Sequence, residues 1–173
     1  MKSRYSGLAA YNAWCNERLY DKAATLPDAD YRQDRGAFFK SVHGTLNHIL
    51  VADRVWMQRF TRTGDAPKEL DAILYDDFDA LRAARRAEDN RITRYIEALS
   101  EADLAGRIRY RSVTNPTELE QELCAALDHF FNHQTHHRGQ AHCLFTQITG
   151  EAPSFDMVIL QRQSGSGGMK KAG

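Results

Sequence analysis

The sequence predicts an all-α protein built as a four-helix bundle with a long crossover connection and a short C-terminal helix. Three observations carry this expectation. Apolar residues recur at alternating steps of three and four along four long runs. These runs are separated by polar stretches containing Pro or Gly. At 173 residues the chain can enclose one sizeable core but is too short to expect two. One domain is therefore expected over residues 1–162, followed by a flexible tail over 163–173, where Ser164, Gly165, Ser166, Gly167 and Gly168 are grouped. No internal repeat is visible.

The first helix is expected over Ser3–Leu26, where Tyr5, Leu8, Asn12, Cys15, Leu19 and Leu26 recur at helical steps and Pro27 supplies the stop. Asp28 to Gly36 reads as a loop. A second helix follows from about Phe38 to Arg62. One side of it carries Val42, Leu46, Ile49, Leu50, Met57 and Phe60, and another carries Val51, Ala52 and Val55 around His48. Apolar residues on two sides call for several neighbouring helices or a second subunit.

The third helix is expected from about Asp76 to Leu99. Ser100 then caps a short turn that Gly106 breaks. Arg107 to Arg111 alternates polar and apolar residues and allows a short strand. Asn115-Pro116 signals a turn, and Thr117 with Glu120 reads as a capping box opening a fourth helix that runs to Thr149. Gly150 and Pro153 stop it, and Asp156 to Arg162 forms the short last helix.

The chemistry concentrates in the fourth helix. Leu119, Leu123, Ala126, Phe130, His133, His137, Gln140, Leu144 and Ile148 alternate at four and three, the pattern of a packed seam. His133 and His137 thus stand where core residues belong. Residues four apart lie about 40° apart around a helix axis and roughly 6 Å apart along it, so both imidazoles project to one side. An unsatisfied buried polar group costs about 1–3 kcal/mol, and a shared metal ion removes that cost. Gln134 stands where a His-Glu-x-x-His zinc-protease motif would need Glu.

The other polar residues read more plainly. His129 lies one turn earlier, within reach as an extra ligand, while His136 points about 60° away and suits a supporting or surface role. Gln140 is placed to hydrogen-bond a ligand's free ring nitrogen, or simply to pack. Asp53 and Arg138 read as helix-to-helix ion-pair partners, and Gly139 as a point of close helix approach. His43 and His142 read as ordinary helix residues, and Cys143 as a thiol on another side of the helix.

Composition excludes several classes. Lys+Arg and Asp+Glu are both 23, so nothing in the net charge points to nucleic acid or an anionic membrane. Arg82, Arg85, Arg86, Arg91 and Arg94 alternate with Glu88, Asp89 and Glu97, which reads as a solvated face. The three cysteines, Cys15, Cys124 and Cys143, form no Cys-x-x-Cys pair and read as buried free thiols of a reducing cytoplasm. No signal-peptide core or membrane span is read.

Tyr11-Asn12-Ala13-Trp14, then Leu46-Asn47-His48-Ile49-Leu50 followed by Asp53 and Trp56, and finally Asn132-His133-Gln134-Thr135-His136-His137-Arg138-Gly139-Gln140, together resemble the DinB family. The resemblance spans roughly residues 1–162. It implies a DinB-like bundle, commonly a homodimer, with a divalent metal held by three histidines, here His48, His133 and His137. His48 enters through the resemblance alone. Three imidazoles leave a coordination position open, the pattern of a catalytic site, and suit zinc and nickel alike.

The resemblance further implies enzymes that use a low-molecular-weight thiol such as bacillithiol or mycothiol, acting as transferases on a small-molecule substrate. A metal-dependent hydrolase and a non-enzymatic stress-response metal binder are the competing readings. The hydrolase is disfavoured because no carboxylate adjoins the histidines in sequence.

Overall fold

The computed structural model describes residues 1–112 and 117–168. The Asn115-Pro116 turn and the last five residues lie outside them. Helix α1 spans Lys2–Ala23, α2 Asp28–Arg32, α3 Val42–Thr61, α4 Phe78–Ala98 and α5 Glu101–Leu104. Strands β1, Arg107–Arg111, and β2, Glu118–Glu122, precede α6, Leu123–Thr149, and α7, Met157–Ser164. The fold is all-α in class, with one two-stranded ribbon.

Helices α1, α3, α4 and α6 form the bundle. Helix α1 packs on α4 and α6, and α3 packs on the same two, so α1 lies diagonal to α3. Two apolar clusters fill the interior. Near the ribbon, Tyr5, Met57, Ile92, Ile96, Leu127 and Phe130 are buried. Towards the other end, Leu19, Leu46, Leu50, Leu81, Leu144 and Phe145 are buried. Each such large side chain stabilises the fold by about 1.5–3 kcal/mol relative to exposure. The second apolar arc of α3, Val51, Ala52 and Val55, is covered within the chain. Its two-sided character therefore needs no second subunit.

A polar layer crosses the bundle between the clusters. Buried Arg85 donates from Nη1 to Asp53 Oδ2 at 2.6 Å, and its Nη2 lies 2.9 Å from Asp89 Oδ1. Asn12 and Asn16 donate to Asp89 Oδ1 at 3.1 and 2.9 Å, and Gln134 donates to Asp53 Oδ1 at 2.8 Å. Burial pushes the Asp53 carboxyl up to about 6, against the opposing pull of the Arg85 guanidinium. The solvated face expected on the third helix is thus corrected in part: Arg85, Glu88 and Asp89 point inward, where charge persists because it is paired.

Several expected boundaries move. Helix α1 stops at Ala23 and turns, with Leu26 N donating to Ala23 O at 3.1 Å, and Pro27 is the N-cap of α2 instead of the stop. The expected loop holds α2 because Asp28 and Asp30 occupy its first turn and Asp28 pairs with Arg32 at 2.8 Å. Helix α3 begins at Val42, since Ser41 Oγ accepts from Gly44 N at 3.0 Å. Phe38, expected to open that helix, is 84% exposed. Asp77 caps α4, and Ser100 with Asp103 closes a capping box on α5, as the serine suggested.

The largest correction concerns the start of the fourth helix. Thr117 and Glu120 open no helix: Glu118–Glu122 pairs antiparallel with Arg107–Arg111, and α6 begins at Leu123. The register sets Glu118, Glu120 and Glu122 opposite Arg111, Arg109 and Arg107. Opposed charges favour such cross-strand pairs by about 0.2–1 kcal/mol each. Leu119, placed in the seam by periodicity, is 41% exposed on β2.

Candidate metal centre

His48 on α3 and His133 and His137 on α6 converge at the level of the polar layer. Each offers one ring nitrogen, and the three atoms lie within 4.8 Å of one another. His48 Nε2 is 3.2 Å from His137 Nε2, which is 3.1 Å from His133 Nε2. The seam periodicity of α6 brings its two rings together one turn apart. Packing of α3 against α6 carries His48 to the same point.

The protons on these rings can be assigned from their partners. Leu70 O, 2.7 Å from His48 Nδ1, can only accept, so Nδ1 carries the proton and Nε2 a lone pair. Gln140 Oε1 accepts from His137 Nδ1 at 2.8 Å, which leaves a lone pair on His137 Nε2 as well. Burial is the main influence lowering all three pKa values, taking His48 to about 4 and His133 to about 3, so neutral rings face one another. Two imidazole lone pairs pointing together at 3.2 Å repel unless a cation lies between them.

The residues fit a metal ion. Donors about 2.0–2.1 Å from a tetrahedral ion stand about 3.3 Å apart, close to the 3.2 and 3.1 Å that separate His137 from His48 and His133. The proton on the far nitrogen of His48 and of His137 is already held by an acceptor, the arrangement that fixes metal-ligating imidazoles.

Two further neighbours, Phe39 and Leu70, complete the surroundings of the histidines. Phe39 stacks on His48 with ring centroids 3.6 Å apart and meets His137 edge-on at 5.5 Å. It sits in the tight turn before α3, where Lys40 takes a φ of 67°. The adjacent Phe38-Phe39 pair was a signal available to be read. Leu70 acts through its backbone carbonyl, for which no side-chain signal exists.

The remaining candidates separate clearly. Gln140 accepts from His137 and lies with Nε2 3.1 Å from His136 Nε2, so it orients one ring and ties down another. His136 is exposed and outside the converging group. His129 is exposed too; its ring packs on Trp56 at 5.1 Å and reaches within 5.8 Å of the His133 ring. His43 is buried with Nε2 3.1 Å from Tyr75 O, and His142 packs against Phe155 at 5.8 Å.

Asp53 makes its ion pair with Arg85. Among the described residues Arg138 makes none; it donates to Asn12 Oδ1 and to Thr135 Oγ1 and lies over Tyr11, because the layer's carboxylates already face Arg85. The close helix approach expected at Gly139 is not found: among the described residues a Cβ there would meet nothing within 4 Å. Of the thiols expected to be buried, Cys15 is, Cys124 is half-buried and Cys143 is exposed, being turned away from the seam.

A family model described as DinB family matches residues 1–167. The chain is 24% identical over 155 residues to Protein DinB of Bacillus subtilis (strain 168), covering 81% of this chain and 83% of that one. No solved structure matches significantly.

Proposed function

This chain belongs to the DinB family, and on that premise we propose that it is a metal-dependent enzyme of the thiol transferase class, with His48, His133 and His137 as ligands of one zinc or nickel ion. The observation that carries the reading is the meeting of neutral imidazole nitrogens at 3.1 and 3.2 Å. When bound, a divalent ion supplies Lewis acidity that lowers the pKa of a thiol or a water in its open position.

The chain's own residues do the rest. Leu70 O and Gln140 Oε1 hold the far protons of His48 and His137, keeping both rings in the ligating tautomer. Phe39 covers the His48 face and excludes water from that side. Among the described residues, the one approach of a histidine to a carboxylate within 4.0 Å is His43 to Asp76, away from this group. Asp71 is near enough to raise the His48 pKa but makes no direct contact with the three rings, and such a site suits a nucleophile that ionises readily, such as a low-molecular-weight thiol of the bacillithiol or mycothiol type, better than hydrolysis, where a base must take a proton from water.

We place the protein in the cytoplasm as a homodimer acting on a small-molecule electrophile, with no nucleic-acid or membrane role. No helix among the described residues is long and apolar enough to cross a membrane. The test is conjugation of several small thiols to a fluorogenic electrophile by metal-loaded protein. Acceleration that disappears in His137→Ala supports the reading. Equal rates for both proteins with every thiol, while generic esters are turned over, would transfer the assignment to the hydrolase.

A further inference from the structure

The ribbon end of the bundle carries a second feature that the metal reading does not use. A cavity of about 370 Å³ opens between the end of α3 and β1, lined by Arg59, Arg62, Arg109, Arg111, Tyr110 and Glu118 among others. A second hollow of about 490 Å³ shares Arg59, Arg62 and Arg109 with it. Four guanidinium groups in one concave space repel each other unless anions offset them. Glu120 takes Arg109 and Arg107. Among the described residues, no carboxylate lies within 4.0 Å of Arg59, Arg62 or Arg111, and Glu118, opposite Arg111 on the ribbon, is the one acid in the lining of the first cavity.

These arginines are held in place by contacts other than ion pairs. The Arg59 guanidinium carbon sits 4.5 Å from the Trp56 ring and 4.6 Å from the Tyr110 ring, and Nη2 donates to Arg111 O at 3.3 Å. Arg62 donates to Arg109 O from a left-handed backbone, φ 59°, at the C-cap of α3. Glycine is the residue that adopts this conformation without strain, so an arginine there is retained at a conformational cost. From Arg59 a line of packed rings leads towards the histidines. Trp56 packs on His129 at 5.1 Å, and His129 on His133 at 5.8 Å.

We propose that this cavity is an anion subsite that takes the multiply charged end of a small molecule, carrying two or more carboxylates or a phosphate group. Planar guanidinium forks match both oxyanions. The remainder of the molecule runs over the exposed His129 towards His133. This second half of the proposal rests on the metal-enzyme reading; the anion site itself does not.

The experiment is calorimetric titration of chelator-treated, dialysed protein with succinate, inorganic phosphate and pyrophosphate separately, with Trp fluorescence as a second readout. Expected is saturable binding of at least one of the three at one site per chain, weakening as salt rises. Preference between succinate and the phosphates identifies the anion. Arg59→Gln and Arg62→Gly should each weaken binding about tenfold, as loss of a charge-assisted contact does. Arg62→Gly should keep or raise the Tm, because glycine relieves the left-handed strain, which separates a lost site from a lost fold. Absence of saturable binding for all three anions, or affinities unchanged in both variants, overturns the proposal, as does displacement of the bound anion by a short DNA duplex of higher affinity. Because the metal is absent, none of these outcomes depends on whether the thiol reaction occurs.

Discussion

Gln140→Leu should separate orientation of a ligand from its presence. In the native chain Gln140 Oε1 accepts the His137 Nδ1 proton at 2.8 Å, and His137 Nε2 stands between the ring nitrogens of His133 and His48 at 3.1 and 3.2 Å. Leucine fills similar space but accepts nothing, so the ring can rotate and exchange tautomers. Removing an acceptor of this kind lowers metal affinity about 10–100-fold, or roughly 1.4–2.7 kcal/mol. In metal-free protein the change should be smaller, about 0.5–1.5 kcal/mol, the net worth of one hydrogen bond. Gln140→Glu should move affinity the other way, because a carboxylate accepts more strongly and makes His137 a better donor. The assay is competition with a chromophoric chelator, alongside denaturant unfolding with and without metal. Equal metal affinities for wild type, Gln140→Leu and Gln140→Glu would refute the claim that this hydrogen bond prepares His137.

Three further outcomes are expected. In Gly44→Ala a Cβ would stand 2.1 Å from Phe39 O, so the turn carrying Phe39 must move off His48; a loss of about 1–3 kcal/mol in denaturant melts, with weaker metal binding, checks this. Asp53→Ala would strip Arg85 and Gln134 of a buried acceptor and cost about 3–5 kcal/mol, measured the same way; a cost below about 1 kcal/mol would mean the polar layer relaxes freely. Metal-free protein should lose stability as pH falls from about 6.5 towards 4. There the unfolded chain binds protons that His48, about 4, and His133, about 3, refuse when folded. Asp53, raised to about 6, opposes this, because its burial penalty fades as it protonates. With partial solvent access of the rings, the net loss is on the order of 2–3 kcal/mol, and flat stability across that window in urea titrations would contradict it.

How much of this was legible in the sequence follows from which interactions are periodic. The seam of α6 announced that His133 and His137 share a face, and Gln140 fell on the same line. The pairing of His48 with them depends on how α3 and α6 pack, which no local pattern encodes; it entered through family resemblance. The ribbon hid the true start of α6, because Thr117-Glu118-Leu119-Glu120 satisfies a helix-capping pattern as well as it satisfies a strand opposite arginines. The inward turn of Arg85 is hidden for a similar reason. Charge alternation describes a surface face until the partner, Asp53 on another helix, is known. Phe39 and Leu70 O lie in turns, where contact with the site is fixed by tertiary packing.

The three-histidine site meets its plainest test in elemental analysis of the chain after dialysis against zinc and, separately, nickel, with His48→Ala, His133→Ala and His137→Ala in parallel. One tightly held ion per chain is expected for the native protein and loss of that ion in each variant, with helical content retained. A native chain that retains neither metal, or variants that hold the ion as tightly as the native chain, would contradict it.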